Sequence, residues 1–311
     1  HTLTLMGGPH DELRVSAEVL HQAVGALLEG ARRAARFAVE GESVRKGPRP
    51  SWLNDACSLD ITGMSPGSVE LQVEMPTFQE AHAARAGKDG QQHLADAIDR
   101  GFGGKTAVDL FGDTLAEVIE GASDNVRADR PLLDICARFA GVSAGVYEGV
   151  QLDGLTGRDS SVTITPDHAQ MITGLRDQTP PPQAARVVGT LDTISASIAD
   201  VTLVLTDASR ISIRLEEHDP ELLEALFRKR VVVSGLASYS PSGLLLLLNG
   251  ESIREAGDGD ILFETAPVAQ RCMPSTTPVA QDDSSGVSAF LGIWPGDESD
   301  DELLESLEAL G

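Results

Sequence analysis

Gly101-Phe102-Gly103-Gly104-Lys105-Thr106 comes nearest to a recognisable chemical motif. A glycine-rich turn ending in Lys-Thr is how a phosphate loop presents backbone N–H groups, an ammonium and a metal-binding hydroxyl. That loop needs another glycine where Asp99 stands and a strand ahead of it, where the pattern here is helical. Both requirements fail, so the stretch reads as a break between helices with Lys105 and Thr106 near a helix start. The seven histidines never pair with one another or with cysteine at metal-ligand spacing. His10-Asp11-Glu12 is the tightest titratable cluster and reads as the polar cap of a first helix. Cys57 and Cys136 lie in amphipathic segments, where a buried, inert thiol is expected. No catalytic residue, cofactor or metal ligand is assigned. Arg45, Lys46 and Arg49 form the most basic stretch, in a Gly/Pro loop leading to Trp52. It reads as a solvated loop, with a phosphate or partner site as the alternative.

The strongest binding signal lies in the last 26 residues. Phe290, Leu291, Ile293 and Trp294 form an apolar cluster, Pro295-Gly296 turns the chain, and Asp297 and Glu298 lead into a short acidic helix. Ser299 is a natural N-cap and Glu302 completes a capping box, with Asp300 and Asp301 well placed on the helix dipole. Leu303, Leu304, Leu307 and Leu310 then fall on one side at helical spacing. A helix of about a dozen residues is marginal alone in water, so this peptide is expected to fold against a surface: a partner's, which the polar tether before it favours, or that of this protein's own domains as an ordinary C-terminal helix.

Composition narrows the partner. Asp and Glu total 48 against 24 Lys and Arg, a formal charge of −24 in 311 residues. Such a chain repels phosphate backbones and anionic membranes, which makes nucleic acid an unfavoured partner and a basic protein a favoured one. The tail from Ala266 onward holds nine acidic residues and one basic residue, Arg271. Three widely spaced cysteines without a C-x-x-C pair fit a reducing cytoplasm. The longest apolar run, Leu244 to Leu248, is far short of the roughly 18 residues that cross a membrane. The chain starts at His1 without the charged and apolar regions of a signal peptide.

Periodicity supplies the elements. Thr2 to Met6 alternates as a strand, and Asp11 to about Val39 follows a helical pattern, with Gly25 and Gly30 weakening an unbroken helix. Ser58 to Thr62 and Ser68 to Glu74 predict a hairpin whose buried face carries Leu59, Ile61, Val69, Leu71 and Val73. Helices are expected near 77–86, 91–100, 106–119, 131–147 and 166–176, and a second hairpin joins 150–152 to 161–164. Residues 1–178 thus predict an α+β domain of helices on a small sheet. A Pro-rich linker, 179–184, separates it from a mainly β domain over 185–265. That domain predicts strands at 185–192, 195–198, 201–206, 210–215, 230–239, 244–249 and 252–254, with a helix at 220–227 capped by Asp219. Five consecutive apolar residues at 244–248 imply burial on both faces or an outside contact. Residues 266–288 read as a flexible tether and 289–311 as the partner-binding peptide.

The element order of 185–265, several strands, a late helix and then further strands, resembles the OB-like small barrels. Many such barrels bind single strands, which takes a basic groove with exposed aromatics. Phe227, Tyr239 and Phe263 are the segment's only aromatics, and its net charge is negative. The tail resembles the toxin-neutralising tails of bacterial type II antitoxins, especially those paired with PIN-domain ribonucleases. That resemblance implies a non-enzymatic, antitoxin-like protein that captures a basic nuclease toxin. Phe290, Leu291, Ile293 and Trp294 would be anchors in an apolar groove, and Leu303, Leu304 and Leu307 the helix face. The long acidic body departs from the family, whose members carry a basic DNA-binding N-terminus. The alternatives are a ligand-binding protein or enzyme with its site in the first domain, and a nucleic-acid-binding barrel.

Overall fold

The computed structural model describes residues 1–7, 15–65, 69–87, 90–121, 124–143, 147–157, 159–195, 200–215 and 219–269. His10-Asp11-Glu12, Cys272 and every residue assigned to the partner-binding tail, Phe290 to Leu307, lie outside them.

The first 178 residues contribute β1 (Thr2–Met6), β2 (Asp60–Ser65), β3 (Val69–Glu74), β4 (Gly149–Asp153) and β5 (Ser161–Ile164) to one antiparallel sheet. Its strand order is β2-β3-β1-β4-β5. The two hairpins expected from the sequence are therefore joined through β1, which sets Leu3 opposite both Leu71 and Leu152. Leu3, Leu5, Leu71, Val73, Val150 and Leu152 are all buried, as period-2 alternation requires of one face. Ile61, expected on that face, is instead half exposed. A bulge between Ile61 and Gly63 on this edge strand shifts the alternation.

Eight α-helices are formed among the described residues: α1 (Ala17–Glu40), α2 (Ser51–Ala56), α3 (Phe78–Ala84), α4 (Gln91–Ala97), α5 (Ala107–Ile119), α6 (Arg130–Gly141), α7 (Pro166–Gln178) and α8 (Pro220–Leu226). Ser16 caps the start of α1, which runs unbroken through Gly25 and Gly30. Gly30 is a packing notch: a Cβ there would lie 2.6 Å from ring atoms of Phe111 on α5. Gly41 ends α1 in the left-handed region, φ 75°, and turns the chain back.

Past Pro180 to Pro182 the chain builds a closed five-stranded barrel from β6 (Gln183–Ser195), β7 (Asp200–Val204), β8 (Arg210–Leu215), β9 (Arg230–Tyr239) and β10 (Leu245–Glu255). A parallel contact of β8 with β10 closes it. The strand expected at 185–192 extends over Gln183–Ser195, and residues 196–198 of the next expected strand lie outside the described residues. Those expected at 244–249 and 252–254 are one strand. Bulges at Leu191/Thr193 and Gly250/Ser252 interrupt the alternation without ending the pairing. The core is aliphatic, with Val187, Leu191, Leu203, Ile213, Val231, Val233 and Leu248 buried. Leu248 points into it, whereas its neighbour Leu247 lies 3.5 Å from where a Cβ on Gly41 would stand. Leu248 and Leu247 thus serve the barrel and the end of α1, whereas Leu244, at the start of the run expected to be buried, is 54% exposed. A separate hydrophobic core fills the first part of the chain, and residues His1–Cys272 form one compact unit. Among the described residues no helix is long and apolar enough to cross a membrane.

Candidate functional site

Glu29, Arg32, Arg33 and Arg36 recur on α1 at helical spacing and so share one side of it. After Gly41 reverses the chain, residues 42–49 return past that side and bring Ser43, Val44, Arg45, Gly47 and Arg49 to it, with Leu53 of α2 adding an apolar wall. The result is a cleft of about 310 Å³ lined by five arginines and one glutamate, in a protein whose formal charge is −24. The returning segment is anchored. Ser43 donates from its N–H and its hydroxyl to Asp129, at 2.8 and 2.6 Å, and Asp129 also accepts from Leu132 N as the cap of α6. Burial pushes the Asp129 carboxyl pKa up, against the pull of these donors.

The arginines differ in how far they are satisfied. Arg33 donates to Glu29 at 3.0 Å and to the Pro131 carbonyl at 2.6 Å. Arg36 donates to Glu40 at 2.8 Å. Arg49 shares Glu29 at 3.8 Å, and Arg45 stands 3.9 Å from Glu42. Arg32 Nε is buried and makes no hydrogen bond, although an unmet charged donor costs about 1–3 kcal/mol or more. The cleft therefore combines a positive local field with a desolvated donor.

A second lobe of about 500 Å³ opens beside it, lined by Glu42, Val44, Arg45, Lys46, Leu236, Asn249 and Glu251. Val44 and Arg45 line both lobes. Leu236 of β9 and Asn249 of β10 are register partners, so the barrel supplies one wall. Behind this wall Arg214 of β8 is only 2% exposed. Its guanidinium is bidentate to Asp200, at 2.9 and 3.2 Å, and donates to Glu42 at 3.0 Å, with Glu40 at 4.0 Å. Burial works to lower the Arg214 pKa, but the charges of Asp200, Glu40 and Glu42 outweigh it and raise it. Glu42 also accepts from Asn249 Nδ2 at 3.4 Å. These bonds tie the returning segment to the barrel.

Of the residues singled out by sequence, Arg45, Lys46 and Arg49 are brought into the cleft and its second lobe. Arg32, Arg33 and Arg36 were missed. Their signal was present as a basic helical face upstream of a basic loop. The Gly-Lys-Thr stretch is a helix junction: Lys105 pairs with Asp113 at 2.6 Å, and Thr106 and Asp109 form a capping box. Cys57 and Cys136 are buried, and burial pushes the Cys57 thiol up to about 12 and the Cys136 thiol higher still. In the barrel, Tyr239 is buried, Phe263 lies under Arg186 and Phe227 under Arg228. Among the described residues no group of three or more His, Cys, Asp or Glu is placed to hold a metal.

No family model matches the chain, and no curated protein matches it either. Among solved structures, one described as "Structure of U. maydis Replication protein A bound to ssDNA" aligns with 28% of this chain and 70% of that one, at 18% identity and a TM-score of 0.18. A likeness of that size bears on neither fold nor function.

Proposed function

We propose that this chain is a non-enzymatic binding protein that captures a phosphoryl-type anion in the arginine cleft between α1 and the segment that follows it. The observation that carries this reading is Arg32, whose buried Nε has no acceptor among five convergent arginines. An anion in the cleft would supply charge-assisted acceptors to guanidinium forks, which suit phosphoryl oxygens. Titration of the full chain with inorganic pyrophosphate tests it. Saturable binding is expected, weakening as ionic strength rises. Arg32→Ala should weaken it by about ten- to a hundredfold, the worth of a charge-assisted hydrogen bond, with thermal unfolding unchanged or improved. Pyrophosphate affinity that is the same in Arg32→Ala and the parent would refute the assignment.

We further infer that the helices and antiparallel sheet of the first part form an α+β domain and that the barrel is of OB type. Three strands, one helix and two strands in that order, with a parallel contact between third and fifth, support the barrel assignment. A second, compatible role rests on the tail, whose nine acidic residues against one basic suit a basic partner. In this reading Trp294 and its apolar neighbours anchor an antitoxin-like capture of a basic protein such as a nuclease toxin. A chain ending at Ala280 should then fail to retain a small basic protein that the full chain retains from the host extract. Equal capture by both chains would remove the tail from the recognition surface.

A further inference from the structure

We infer that the anion is the phosphoryl end of a nucleotide, with its base seated in the second lobe of the cleft. This rests on the anion-binding reading and adds the chemical class of the ligand. Val44 and Arg45 line both lobes, and a ligand that reaches across these two side chains would occupy both. They differ in electrostatics. The first is lined by five arginines and Glu29, with Glu40 pairing Arg36, whereas the second is lined by Arg45 and Lys46 together with Glu42 and Glu251, so the excess of cations lies in the first. A phosphoryl group belongs in the first and a neutral body in the second.

The second lobe also defines what that body is. Val44 and Leu236 are 48% and 42% exposed, an apolar strip open to a flat ring. Asn249 spends its N–H on Glu42 at 3.4 Å, because a carboxylate can only accept, and this leaves the amide carbonyl as an acceptor. Glu251 is an exposed carboxylate on the same strand. Apolar contact flanked by acceptor oxygens matches a nucleobase presenting ring and amino N–H groups. Each lobe falls in the size range of about 300–1,000 Å³ typical of small-molecule sites. A free nucleotide fits better than a nucleic-acid strand, because the chain's formal charge of −24 opposes a long polyanion.

Calorimetric titration of the full chain with pyrophosphate, ADP, GDP and a 5′-phosphorylated oligonucleotide separates the possibilities. At least one nucleoside diphosphate should bind tenfold or more tightly than pyrophosphate. The double variant Leu236→Ser/Glu251→Gln should bring that nucleotide to pyrophosphate's affinity without weakening pyrophosphate binding, since the lost carboxylate can only have opposed an anion. Pyrophosphate binding with no gain from either base would overturn the nucleotide assignment and leave the anion site standing. No binding of any probe would overturn both. An oligonucleotide that binds more tightly than the nucleotides would replace the free nucleotide by a strand end.

Discussion

Arg214→Ala is expected to lower the unfolding free energy by about 3–5 kcal/mol, the usual cost of removing one partner from a buried ionic cluster. Arg214 is 2% exposed and faces Asp200, Glu42 and Glu40. Without it, Asp200 and Glu42 lose their close cation, while Glu40 keeps Arg36. Two desolvated carboxylates would then repel each other or take up protons. Urea unfolding of the variant at neutral pH measures the loss. The companion Arg214→Met/Asp200→Leu should recover a large part of it, because apolar replacement of a whole buried pair is often neutral. Recovery is expected to be incomplete, since Glu42 still has only Asn249 and the distant Arg45. A loss below about 1 kcal/mol, the range of surface ion pairs, would show that water reaches the cluster and that it does not hold the barrel to α1.

The same residue marks how far the sequence could be read. In β8, Ile211, Ile213 and Leu215 alternate with Ser212 and Arg214, a pattern that turns Arg214 away from the barrel core. Alternation says which side a residue takes but not what covers that side. Here the end of α1 and the segment after it do. The first helix was legible from apolar spacing over Asp11 to about Val39, and the pairing of β2 with β3 from period-2 alternation. The insertion of β1 between β3 and β4 was not, because β1 bonds to residues about 70 and 150 positions away and carries no local signal of register. The last barrel strand, β10, reads as two shorter ones in sequence because a bulge at Gly250/Ser252 imitates a strand end.

The arginine cleft was half legible for a related reason. Arg45, Lys46 and Arg49 stand out as a basic loop, whereas Arg32, Arg33 and Arg36 are scattered among the apolar positions of a helical pattern. What makes them one site is the left-handed turn at Gly41, φ 75°, which folds the loop back on the helix. Asp129, 86 residues beyond Ser43, then fixes it through that serine. Neither the reversal nor the anchor is a pattern within a window, so charge that looked dispersed in sequence is concentrated in space.

Phe111→Ala is the second large effect expected, a loss of about 3–5 kcal/mol as for other buried phenylalanines cut back to alanine. Phe111 is fully buried, its ring sits edge-on to Phe139 at 5.4 Å and 74°, and it fills the notch left by Gly30. Gly30→Ala alone should also destabilise, by about 1–3 kcal/mol as in other overpacked cores, despite the better helix propensity of alanine. Combined as Gly30→Ala/Phe111→Leu, the new methyl occupies part of the space that the ring vacates. The double variant should therefore lose less than the sum of Gly30→Ala and Phe111→Leu measured singly. Strict additivity in urea unfolding would mean that the ring and the notch do not set each other's position. The consequence reaches the cleft, because Gly30 lies one residue before Ala31 and two before Arg32 on α1. A shift of α1 at the notch moves Arg32, Arg33 and Arg36 together relative to Arg45 and Arg49, whose segment is pinned separately through Ser43 to Asp129. Gly30→Ala should accordingly weaken pyrophosphate binding although it removes no lining group, and Phe111→Leu added to it should restore part of that affinity.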